Sequence, residues 1–140
     1  AKNPIIDNRI LLNGNKLFFL EPLEATAMGG YIKSCRFYFD YIFNNYSKEH
    51  TINNVKNYIT QVQNFILWHY SKGSIYNTKF WKHSKKLWNK HDKKDIEEII
   101  KVVKKMSSTD VIKSVPSNFQ YAQWKEWNFK NWLNGIENAN

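Results

Sequence analysis

Leu20-Glu21-Pro22-Leu23-Glu24-Ala25-Thr26 sets two carboxylates and a proline where an apolar extended run gives way to a helical pattern. Glu21 precedes a proline and is therefore held extended. Pro22 suits the first position of a helix, where its missing N–H is not needed and its fixed φ is already helical. The amides of Glu24, Ala25, Thr26 and Ala27 then form the first turn, which has no intrahelical acceptors for them. N–H groups at the positive end of a helix make an anion site that needs no basic side chain. Glu24, taken by itself, is a first-turn acid that stabilises such a helix by about 0.3–1 kcal/mol.

The elements around this junction follow from periodicity. Residues 10–20 are apolar on both sides of Asn13-Gly14-Asn15, which predicts strand, tight turn and extended segment. Ile32, Cys35, Phe39, Ile42, Phe43 and Tyr46 recur at helical spacing, so residues 22–46 are expected to form one long helix, with Gly29-Gly30 as a point of loosening. Thr51 is the expected cap of a second helix whose apolar face is Val55, Ile59, Val62, Ile66 and Tyr70. Phe80, Trp81 and Trp88 mark a third over residues 78–90. Asp92 and Asp95 at the start and Lys101, Lys104 and Lys105 at the end frame a fourth, with Ile96, Ile99, Ile100 and Val103 inward. Ser117-Asn118-Phe119-Gln120 has the spacing of a capping box before a last Trp-rich helix expected to stop at Gly135. The fold class is mainly α, with one N-terminal strand or hairpin.

Composition narrows the function. The 140 residues suit one domain, and with six Trp, eight Tyr and nine Phe there are more rings than a core of this size needs, so some should line a pocket or an interface. The single cysteine, Cys35, excludes an internal disulfide and a cysteine-based zinc site, and its place on an apolar helical face reads as a core thiol. His50, His69, His83 and His91 offer no helical metal clamp, since His83 and His91 are eight residues apart, and no metal is expected. No apolar run reaches the ~18 residues of a membrane helix and no signal peptide is visible, which points to a cytoplasmic protein without a membrane partner.

Between Lys72 and Lys105 eleven lysines face four acidic residues, a local +7 within a total of +9. Interleaved with Trp81 and Trp88, such a block could contact phosphates and stack bases, so a basic module binding nucleic acid or an acidic partner is the alternative function. Against nucleic acid, the lysines fall on the polar sides of amphipathic helices, and Arg36 is the one arginine in residues 31–140.

The junction also resembles the "LEPLEST-G" segment of flavin-dependent halogenases, the tryptophan halogenase family, without gaps from Leu12 to Thr26. Phe65-Ile66-Leu67-Trp68-His69-Tyr70 followed by Asn77-Thr78-Lys79-Phe80-Trp81 is similar to the family's "HY...-T-FW" block. Residues 127–135 resemble its "Y-E-F-K-N-F-W-L-N-G" block with one residue missing. Three blocks in the same order are far more specific than any one of them. The family's G-x-G-x-x-G turn, its halogen-relaying lysine and its W-x-W-x-I-P segment have no counterpart here. The resemblance therefore implies a C-terminal fragment: residues 1–20 a strand remnant of an α/β flavin-binding domain, residues 21–140 a helical module on the substrate side.

What the family does defines the remaining expectations. Reduced FAD and dioxygen give a flavin hydroperoxide, bound chloride or bromide attacks it, and hypohalous acid travels to an aromatic small molecule; a flavin reductase supplies the reduced cofactor. Thr26 and Ala27 match the positions whose backbone amides hold the halide, and Glu24 the carboxylate that faces the substrate. Gly14, Asn15 and Pro22 fall on the cofactor side, and Tyr121, Asn128 and Trp132 on the substrate side. Departures are informative. Ala27 replaces a glycine, which would cost stability if the turn needs φ > 0. Ala25 replaces a serine, and Asn15 stands in place of an aspartate. Asn128 falls where a glutamate grips the amino group of tryptophan, and Ala122 has lost the second of two tyrosines, so free tryptophan is poorly provided for. By itself the chain is expected neither to retain flavin nor to catalyse.

Overall fold

The structure is a computed structural model that describes residues 2–20, 25–72, 76–106 and 121–138. Two compact units divide the chain, residues 1–63 and 64–140. Five α-helices and one short hairpin lie among the described residues, so the chain is mainly α.

In the first unit, β1 (Ile5–Ile6) and β2 (Ile10–Leu11) pair antiparallel with Ile5 opposite Leu11. Asp7 and Asn8 both take positive φ, 50° and 55°, and Arg9 N–H closes onto the Ile6 carbonyl, as in a two-residue type I′ hairpin. The Asn13-Gly14-Asn15 break becomes a 3₁₀ turn over Gly14–Lys16, capped by the Asn13 side chain, which accepts the Gly14 N–H at 2.8 Å. Gly14 sits at φ 58° with open space where a Cβ would be.

Helix α1 spans Thr26–Phe43, so among the described residues it begins after the expected start at Pro22 and ends before Tyr46. Its end is set by Asn45 at φ 54°, which turns the chain so that Tyr46 N–H reaches the Asp40 carbonyl. Gly29-Gly30 does not interrupt the helix. The buried face is Thr26, Gly30, Ser34 and Tyr38, at intervals of four. A Cβ on Gly30 would run into the Phe18 ring, so the glycine is there for a close approach. Tyr38 donates to the Leu12 carbonyl at 2.6 Å and joins Ile5, Leu17, Phe18 and Val55 in the core; burial pushes its pKa up to about 12. The stripe marked by periodicity faces outward instead, with Ile32 68% and Phe43 66% exposed. Cys35 lies on that exposed side and is not a core thiol; Asn13 donates to its sulfur at 2.9 Å. Small residues can bury a helix face against a ring as well as large ones can, and hydrophobic periodicity does not register them.

Helix α2 spans Lys48–Lys72. Its cap is Ser47, whose Oγ accepts the His50 N–H at 3.1 Å, while Thr51 is buried one turn in and donates to the Ser47 carbonyl. The expected cap was one turn too late because Ser and Thr are equally good acceptors and only the geometry separates them.

The second unit contains the end of α2, α3 (Lys79–Lys90), α4 (Lys94–Lys105) and α5 (Glu126–Asn138). α3 and α4 match their expected bounds closely; α3 buries Ser84 and Trp88, α4 buries Ile96 and Val103, and Ile99 and Ile100 are half-buried. α5 passes through Gly135 to Asn138, and nothing crowds that glycine. The capping box at Ser117–Gln120 lies outside the described residues. The core is aromatic: Phe65 stacks on Trp124 at 3.7 Å between ring centroids, and Trp68 on Phe129 at 5.5 Å. No helix among the described residues is long and apolar enough to cross a membrane.

Candidate functional site

Two sets of residues carry the expected chemistry, one in each unit. In the first, Ala25 precedes α1 in the left-handed region, φ 54° and ψ 29°. Positive φ thus falls at Ala25, and Ala27, the position flagged for strain, lies within helical backbone. Thr26 is fully buried and Ala27 half-buried, as the first two residues of the helix, with their amides at its positive end. Glu21, Pro22 and Glu24 lie outside the described residues. An alanine in the left-handed region is strained, so Ala25→Gly should stabilise the chain by about 1 kcal/mol, read as a higher urea midpoint at unchanged slope. An unchanged midpoint would mean that the turn relaxes without strain.

Asn13, Gly14 and Asn15 brace this helix from the side. Tyr31 donates its hydroxyl to Asn15 Oδ1 at 2.6 Å, and Asn13 Nδ2 reaches the Tyr31 carbonyl at 3.3 Å. The asparagine at position 15 therefore accepts a hydrogen bond from α1, a task its neutral amide performs without a charge.

In the second unit, Tyr121 is 2% exposed and donates its hydroxyl to Asp95 Oδ2 at 2.7 Å. Burial first, then the bond to Asp95, pushes its pKa far above the usual phenol range. Asn128 Oδ1 accepts the Lys125 N–H at 2.9 Å, the reciprocal half of a capping box at the start of α5. Trp132 lies one turn further and stacks on His69 at 4.0 Å and 25°. Its indole N–H is buried and meets no acceptor among the described residues. Of the three expected substrate residues, Tyr121 and Trp132 join one aromatic cluster, and Asn128 is engaged by its own helix.

Several members of that cluster had no signal strong enough to single them out. Asp95 reads from sequence as a helix-dipole acid, yet it receives Asn64 Nδ2 at 2.8 Å as well as Tyr121. His69 donates from Nδ1 to the Phe65 carbonyl at 2.9 Å, the partner that a ring nitrogen bearing hydrogen requires. His69 is in the second sequence block, which was the one available pointer. Phe80 is 56% exposed, while Trp81 is half-buried against Tyr70.

The lysines of α3 and α4 are mostly exposed, but Trp88 is buried, with Lys93 Nζ 4.8 Å above its ring. One of the two rings that a base-stacking groove would need is therefore inside the fold. Among the described residues no three His, Cys, Asp or Glu side chains gather as a metal site.

The family model described as tryptophan halogenase matches residues 4–137. The chain belongs to the tryptophan halogenase family. No curated protein and no solved structure matches it. Tryptophan halogenases use flavin, a dinucleotide that is held by a strand, a glycine turn and a helix end. β2 leads into a 3₁₀ turn whose Asn13 and Asn15 side chains are held by α1, and no strand, glycine turn and helix follow one another there. These residues do not form a dinucleotide cradle.

Proposed function

We propose that this chain supplies the halide junction and an aromatic face to an enzyme that halogenates an aromatic small molecule. Family membership across residues 4–137 is the observation that carries it, supported by the opening of α1 at Thr26 and Ala27. In the complete enzyme, reduced flavin and dioxygen would supply oxidising power for chloride or bromide, and a flavin reductase would renew the cofactor. The chain's own contributions are three. The backbone amides of Thr26 and Ala27 hold the halide at the positive end of α1. Glu24 stabilises the cation formed when halogen adds to the ring, and takes the proton that restores aromaticity. Gly14, Asn15 and Pro22 form the edge nearest the cofactor; with no dinucleotide cradle among the described residues, the chain alone does not catalyse.

The substrate is a neutral ring in preference to an amino acid. A site for the tryptophan zwitterion needs charged hydrogen bonds of about 1.5–3 kcal/mol each. Tyr121 donates its hydroxyl to Asp95, Asn128 Oδ1 accepts the Lys125 N–H, and Ala122 has no polar side chain. Trp132 still offers a flat face. Initial rates on indole should exceed those on tryptophan. A clear preference for the amino acid would mean that another residue grips the ammonium group.

A further inference from the structure

Asp95 stands out in the second unit because one carboxylate gathers donors from three places. Oδ2 accepts the Tyr121 hydroxyl at 2.7 Å, and Oδ1 accepts Asn64 Nδ2 from α2 at 2.8 Å and the Ile96 N–H of its own helix at 2.7 Å. From Tyr121 the connection continues along the chain. Tyr121 and Trp124 exchange backbone hydrogen bonds at 2.9 Å in both directions, around Ala122 at φ 52°. The next residue, Lys125, has its N–H held by Asn128 Oδ1 as α5 begins. α5 then sets Phe129 against Trp68 and Trp132 against His69. Trp132 has a buried indole N–H with no acceptor among the described residues, so stacking and the placement of its helix locate the ring, not a directional bond of its own.

We propose that Asp95 is a positioning residue for Trp132: its carboxylate ties α4 and α2 to the Tyr121–Trp124 turn and so fixes where α5 lays the indole on His69. The role calls for a carboxylate. It presents only acceptors, so all three donors meet a charged oxygen, whereas an amide keeps one oxygen for Asn64 and Ile96 and leaves Tyr121 to turn its hydroxyl and accept from the NH₂, a charge-assisted bond exchanged for a weaker neutral one. Tyr121 is the other half of the device. Removing its hydroxyl should have the same effect as altering Asp95, and removing both should add little, as expected of two residues in one hydrogen-bonded unit.

The test uses the 140-residue chain and acrylamide quenching of tryptophan emission. The Trp132 contribution is isolated by repeating each measurement with Trp132→Phe. Asp95→Asn should raise quenching of that contribution by roughly twofold, as exchanging a charge-assisted tie to the buried Tyr121 for a weaker one loosens the helix it holds. Tyr121→Phe should do the same, and the double variant no more. An unchanged Trp132 contribution in a chain that stays folded by circular dichroism overturns the proposal. Should Asp95→Asn unfold the chain, Tyr121→Phe, which leaves Asp95 and Asn64 in place, decides it in the same way. A second measurement bears on the substrate face assigned under the proposed function, on which the kinetic expectation rests. In the complete enzyme Asp95→Asn should raise KM for indole roughly tenfold while kcat stays within about threefold, the pattern of lost ground-state positioning. Altered quenching with an unaltered KM would confirm that Asp95 positions Trp132 and remove Trp132 from the substrate face.

Discussion

Under the proposed function, Glu24→Gln should lower halogenation by about 10²-fold or more in the complete enzyme, while oxygen uptake continues. The size is that of a lost proton acceptor and a lost electrostatic stabiliser. Glutamine keeps the shape and can still accept a hydrogen bond, but it cannot neutralise a cationic ring or take up its proton. Steps that precede reaction with the substrate do not need the carboxylate, so they should proceed and become uncoupled from product. Halogenated product is followed by chromatography beside oxygen consumption. Equal halogenation by the variant would reduce Glu24 to a helix-end charge, a role whose loss costs about 0.3–1 kcal/mol of stability and leaves the chemistry untouched.

Phe65→Ala should destabilise the chain by about 3–5 kcal/mol, the usual range for emptying a buried aromatic site. Phe65 is 1% exposed and lies between Trp124 and His69, at 3.7 and 4.2 Å between centroids, with Phe129 at 5.1 Å. Aromatic pairs of this kind add about 0.5–1.5 kcal/mol to the area that they bury. A loss of that size is a large part of the ~5–15 kcal/mol that holds a typical domain together. Urea unfolding followed by tryptophan emission measures it. Phe80→Ala is the comparison, because that ring is 56% exposed and its loss should stay below about 1 kcal/mol. Similar losses at both positions would mean that the aromatic core of the second unit is not what stabilises it.

Local signals in the sequence were enough for α3 and α4, whose polar and apolar residues separate at the helical period and whose ends carry charges of the right sign. α1 shows the limit of that signal. Its period was legible, but the apolar stripe lies outside, since Gly30, Ser34 and Tyr38 pack inward through fit and hydrogen bonding. The opening of α1 was displaced because Ala25 takes a conformation that sequence rules reserve chiefly for glycine. Family membership was legible because three blocks kept their order. The Asp95–Tyr121 bond was not, since it joins positions 26 residues apart and no periodicity spans such a separation.

Phe18 and Gly30 constrain each other's history. Because the ring occupies the volume where a Cβ on Gly30 would stand, neither position can drift alone toward a larger side chain. A methyl group at position 30 requires the ring at position 18 to shift or shrink, and that ring lies tilted against Tyr31 at 5.3 Å and belongs to the core of the first unit. A change at 30 is therefore best tolerated after the ring at 18 has become smaller, since the reverse order presses a Cβ against that ring.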